Sequence, residues 1–226
     1  MILNYLAHYY CEHPDDRPYF VLGLILPDLL RDIQPRKVRF DDAALGTPLD
    51  ERGREIDEGI RRHLEVDVAF HASDFFHDRM ERIKQLLMRH TYDTIPARIP
   101  VFAHVLLELM MDRIIIRREP AAMPAFYAAL EQVDRDVVTA YFAHNGVVIR
   151  PETVFPRVQL FIRDRFLYRY PDNAMMLYAL NVLNQKVGQP VIAKEDEVRL
   201  LDTINDTDAL LDQDELAIFD ELRQNA

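Results

Sequence analysis

The residues of this chain best suited to chemistry are His63, Asp67 and His71, which recur every four positions in IRRHLEVDVAFHASDFF (60–76). Each residue of an α-helix advances about 100°, so three groups at that spacing span about 80° of one face. Two imidazoles and a carboxylate then point to one place. A second stretch, FAHVLLELMMDRIIIRR (102–118), repeats the pattern with His104, Glu108 and Asp112. Imidazole and carboxylate together suit Zn, Mn or Fe, and buried ionisable groups are costly unless paired or bound to a metal. Two such helices facing each other would make one nest for divalent cations. A plainer arrangement stays open, with Asp112 paired to Arg113 or Arg117 and Glu108 to His104 on its own helix.

These groups need buried helices to hold them, and the composition supplies helices. The chain has 226 residues, 49% hydrophobic, with only 6 glycines. Its apolar runs follow a helical period, and strand-like runs of Val, Ile and Thr are nearly absent. The reading is all-α: one compact helical domain over 1–190 and a short acidic helical extension over 191–226. The net charge of −11 is uneven, because residues 194–226 carry eleven acids and three bases, leaving about −3 for the rest. Nothing forms a broad basic face for nucleic acid. One cysteine, Cys11, excludes an intrachain disulfide, and no apolar stretch reaches the length of a membrane span. The N-terminus is too short and polar for a signal peptide, so the expected location is cytoplasmic.

In chain order, 2–11 reads as a short helix bearing His8. Residues 19–32 form an apolar helical stretch interrupted by Pro27, which either bends the helix or starts a new one, with Asp28 next to it. A polar loop over 33–52 carries Arg36, Lys37 and Arg39. Residues 53–90 form one long helix or two, and an unbroken face would continue from His71 through Asp74 and Asp78. Further helices span about 120–142, 151–170 and 172–187. In the tail, Asp212 and Glu215 make a capping box. No nucleophile elbow, phosphate loop or dinucleotide fingerprint occurs, so metal-activated water is the best-supported nucleophile.

In several motifs the chain resembles the acyl carrier protein phosphodiesterases, or acyl carrier protein hydrolases, of the wider HD-like group of metal hydrolases. Asn4, Leu6, Ala7 and His8 match the family's opening N-x-L-A-H, and Gly23 and Asp28 match its G-x-x-x-x-D. Gly59, Ile60, His63 and Asp67 match G-I-x-x-H-x-x-x-D, with His71 where the family has Asp. Glu108 and Asp112 stand for its D-x-x-x-D, with Arg113 in place of the following His. LYRYPD (167–172) and LNVLN (180–184) look like its later elements, so the likeness runs over about 1–187. A second likeness is to the zinc-dependent phospholipase C and P1 nuclease group, through His63/Asp67, His104/Glu108 and GLILPD.

Both likenesses imply a metal-dependent phosphodiesterase of HD-like or phospholipase C-like all-α type, binding one to three divalent ions. His8, Asp28, His63, Asp67, His71, His104 and Glu108 are the implied ligands. Asp112, Asp28 and His63 are the implied catalytic groups, and Arg113 and Arg117 the implied phosphate holders. The first likeness implies acyl carrier protein as partner, with release of its 4′-phosphopantetheine arm. Arg36, Lys37, Arg39, Arg61 and Arg62 could then form a positive rim for that acidic partner. The competing reading is a helical scaffold without catalysis.

Overall fold

The computed structural model describes residues 4–12, 14, 16–31, 50–95, 99–145, 151–186, 188–211 and 215–225. They form eleven α-helices: α1 (Tyr5–Glu12), α2 (Pro18–Arg31), α3 (Glu51–Ala72), α4 (Asp74–Leu87), α5 (Ile99–Arg118), α6 (Ala122–Leu130), α7 (Arg135–His144), α8 (Pro151–Asp164), α9 (Asn173–Lys186), α10 (Lys194–Leu210) and α11 (Ala217–Asn225). A single 3-10 turn, Phe166–Arg169, precedes α9. No strand occurs among the described residues, and the chain is all-α. No helix among them is long and apolar enough to cross a membrane.

Two helices are apolar on nearly every side, and such helices belong in the interior. Every residue from Tyr19 to Leu30 of α2 is buried, and from Phe102 to Ile115 of α5 only His104 is not. The other helices are amphipathic and cover these two. α2 runs unbroken through Pro27, so the ring costs one backbone hydrogen bond without ending the helix. Asp28 therefore stays inside a buried helix.

α2 and α3 cross at Gly23 and Gly59. A Cβ on Gly59 would lie 2.2 Å from the Phe20 carbonyl oxygen, and one on Gly23 would lie 2.4 Å from that of Ile56. Only glycine allows this approach, which brings Asp28 of α2 to His63 of α3. α3 starts at Asp50, whose carboxylate accepts from the Gly53 N–H at 2.9 Å. It ends at Ser73, whose hydroxyl donates to the Phe70 carbonyl and accepts from the Phe76 N–H. Ser73 thus closes one helix and caps the next. Asp74 and Asp78 consequently belong to α4 rather than to the face of His63 and His71.

The acidic end of the chain packs against the rest. Leu200, Ile204, Leu211, Ile218, Phe219 and Leu222 belong to the same hydrophobic cluster as α2 and α5. Two of its acids make long-range contacts with backbone or arginine: Asp196 accepts from the Asp93 and Thr94 N–H groups, and Glu215 accepts from Arg79. Glu215 thereby makes a long-range contact, and its expected capping partner Asp212 lies outside the described residues. So do Arg36, Lys37 and Arg39.

Candidate metal centre

The predicted ligands fall into two adjoining groups rather than one nest. His63 and His71 share a face of α3 but stand eight residues apart, roughly 12 Å along the axis. That is too far for one ion. His63 joins His8 of α1 and Asp28 of α2, while His71 joins His104 and Glu108 of α5; within each group the ligating atoms lie within 4.8 Å of one another. The groups are neighbours, because Asp67, which stands 3.4 Å from His71, lines the same gap as His8.

The inner group is closed to solvent: His8, Asp28 and His63 are 2%, 3% and 1% exposed. The His63 Nδ1–H donates to the Leu24 carbonyl oxygen at 2.8 Å, which leaves Nε2 as the acceptor nitrogen, 3.9 Å from Asp28 Oδ1. The His8 ring stacks on that of His63 with centroids 3.9 Å apart. Both His8 ring nitrogens are buried without a hydrogen-bond partner among the described residues. Burial, then the charges of His63 and His71, hold its pKa well below the usual imidazole range, so His8 is neutral. An unsatisfied buried polar group costs about 1–3 kcal/mol, which ligation would relieve.

The outer group reaches solvent. His71 Nδ1 bonds the Asp67 backbone carbonyl at 2.6 Å, leaving Nε2 to point at α5. That Nε2 lies 2.9 Å from His104 Nε2 and 3.5 Å from Glu108 Oε1, and His104 Nε2 is 2.8 Å from the same oxygen. Neighbouring ligands on an ion with bonds of about 2.1 Å sit roughly 3 Å apart, so this triangle has the dimensions of one face of a coordination sphere. Without an ion, one proton must lie between the two nitrogens. The hydrogen bond with Glu108, outweighing burial and helped by the Asp67 charge, raises the His71 pKa. The second oxygen of Glu108 is buried without a hydrogen-bond partner among the described residues. Phe76 packs edge-on against His71 and His104, at 4.7 and 5.2 Å.

Four of the expected site residues lie outside the two groups. Asp67 stands on the Nδ1 side of His71, with Oδ1 at 3.4 Å, and belongs to neither converging set. Asp112 is fully buried and accepts from the Ala7 N–H at 2.8 Å. It anchors the first turn of α1, and so positions His8 through the backbone. Burial raises its pKa well above the carboxylate range.

Arg113 lies inside the fold. It is fully buried, its Nε donating to the Tyr170 carbonyl at 2.8 Å and its Nη2 to Pro171 O and Asn173 Oδ1. Arg117 is spent as well, donating to both oxygens of Asp208 at 2.7 Å. Of the proposed positive rim, Arg62 is paired with Glu12 and Glu65, and Arg61 is exposed.

Sequence reasoning missed four contributors. The Leu24 and Asp67 backbone carbonyls fix the imidazole tautomers, and no side-chain pattern encodes them. Phe219 and Leu222 of α11 line a gap beside His8. Their i, i+3 spacing in AIFDELRQN was the available signal. No protein-family model, curated protein or solved structure matches this chain.

Proposed function

We propose that the chain is a divalent-metal phosphodiesterase of HD-like architecture, with one ion held by His8, Asp28 and His63 and a second by His71, His104 and Glu108. The observation that carries this reading is the shared state of His63 and His71. Each gives its Nδ1–H to a backbone carbonyl and turns Nε2 toward a carboxylate or a second imidazole. That is how ligating histidines are held. Divalent ions there would supply Lewis acidity and a water acidic enough to attack phosphorus near neutral pH. The chain's own residues do the rest: Asp67 orients His71, Asp112 holds α1, and Phe76 excludes water from one side of the outer group.

The resemblance to the acyl carrier protein phosphodiesterases makes the 4′-phosphopantetheine linkage of holo-carrier protein the first substrate to test. Its matched residues Asn4, His8, Gly23, Asp28, Gly59 and His63 cluster around the inner group. A second reading, a phospholipase C-like enzyme, is favoured by the outer group, since that likeness accounts better for His71 and His104.

The test is hydrolysis of bis-p-nitrophenyl phosphate by metal-loaded wild type and by His63→Ala, followed by holo-carrier protein and a phospholipid. Metal-dependent turnover lost in His63→Ala supports the hydrolase, and arm release supports the first substrate. Headgroup release with carrier untouched selects the second. Absence of turnover on all three overturns the hydrolase reading.

A further inference from the structure

The inner and outer groups differ in access. The side chains of His71 and His104 are 25% and 32% exposed, so the outer group meets solvent directly. The three residues of the inner group are buried, and what covers His8 includes α11. Phe219 and Leu222 of α11, each 3% exposed, share with His8, Asp67 and Met111 a gap of about 10 Å³, with room for one water at most.

The elements around the inner group are not equally secured. α1 is tied at one end by Asp112 to the Ala7 N–H and at the other by Arg62 to Glu12. α2 and α3 are locked at the Gly23–Gly59 crossing and by the bond from His63 to Leu24. α11 has nine residues, fewer than an isolated helix needs to persist in water. It holds by the apolar face of Ile218, Phe219 and Leu222, by the edge-on contact of Phe219 with Tyr10, and by the Arg79–Glu215 pair just before it. Its other face, with Asp220, Glu221, Arg223 and Gln224, is exposed. A short helix docked by one face opens at lower free energy than the core.

We propose that α11 is the closure of the inner group, and that metal enters and leaves His8, Asp28 and His63 only when Phe219 and Leu222 lift away. The metal half of this inference rests on the function proposed above; the closure of His8 does not.

Carbethoxylation of the metal-free full chain by diethyl pyrocarbonate, read by peptide mass spectrometry, tests the closure alone. In wild type His8 reacts far more slowly than the exposed His77. In the Phe219→Ala/Leu222→Ala double variant its rate rises by about tenfold or more, as expected when reaction follows the open fraction. Amide exchange of the wild-type chain gives a reading independent of whether the variant folds. Residues 218–222 must exchange under milder denaturant than α2 and α3, and His8 modification must track them.

With Mn or Zn loaded, the variant releases one ion to a chelator faster while the other leaves at the wild-type rate. His8 as reactive as His77 in wild type, His8 still protected in a folded double variant, or α11 opening together with α2 and α3 would each overturn the closure. A chain that binds no metal yet shows the His8 pattern would defeat the metal reading and leave the closure standing.

Discussion

His63 gives its Nδ1–H to the carbonyl oxygen of Leu24 across 2.8 Å, a contact between neighbouring helices that exists because Gly23 and Gly59 let their backbones touch. The tautomer of a buried imidazole is thus set by a glycine pair four residues away on one helix and one residue away on the other. Gly59→Ala, whose Cβ would fall 2.2 Å from Phe20 O, should cost about 3 kcal/mol of stability and loosen the inner group. Urea unfolding checks the first effect and metal affinity the second. A variant as stable as wild type would mean the helices separate without penalty.

Asp67 affects the outer group through His71, with its carboxylate 3.4 Å from Nδ1. Asp67→Ala keeps the backbone carbonyl that accepts the proton but removes the charge that makes the ring more basic. Outer-ion affinity should fall about tenfold, at the lower end of what an orienting partner contributes. Calorimetric titration should show one weakened and one unchanged binding event; two equally weakened events would place Asp67 between the ions.

His8 makes metal-free stability depend on pH. Burial and the charges of His63 and His71 depress its folded pKa, so the unfolded chain takes up the proton first. Stability present above the unfolded value of 6.5 is therefore lost as pH falls below it, by about 1.4 kcal/mol per unit until the folded pKa is reached. Comparing wild type with His8→Phe between pH 7.5 and 5.5 isolates this contribution, because the variant should lack that slope. Parallel profiles would show His8 to be protonated or exposed in the folded state.

Arg113 separates a structural role from a substrate role. Removing its guanidinium strands the carbonyls of Tyr170 and Pro171 and the Asn173 side chain, at about 3 kcal/mol in all. Arg113→Met should lower the unfolding midpoint and leave the KM for a phosphodiester unchanged. A raised KM at full stability would return Arg113 to the substrate.

Much of this arrangement is legible in the sequence, and the limits have physical causes. The all-α class follows from helical periodicity and few glycines. His63, His71, His104 and Glu108 follow from the spacing by four along α3 and α5. His8 and Asp28 were reached only through motif likeness, because each is a single group on its own helix with no local pattern. The division into two groups was hidden, since spacing fixes a face but not which neighbour meets it at each level. Arg113 reads as a surface cation beside Arg117, yet its receptor is the LYRYPD motif about sixty residues on. Asn184 of LNVLN likewise serves the fold, donating to the Thr94 and Pro190 carbonyls. Motif likeness therefore also marks residues that anchor the fold.

The claim that the two histidine–carboxylate groups are metal sites is tested most directly by elemental analysis of untagged protein, stripped with a chelator and reloaded with Mn, Zn or Fe. The account predicts about two ions per chain, one lost in His8→Ala and the other in His71→Ala, with a higher thermal midpoint on loading. A stripped protein that takes up no ion and melts at the same temperature with and without metal would contradict it.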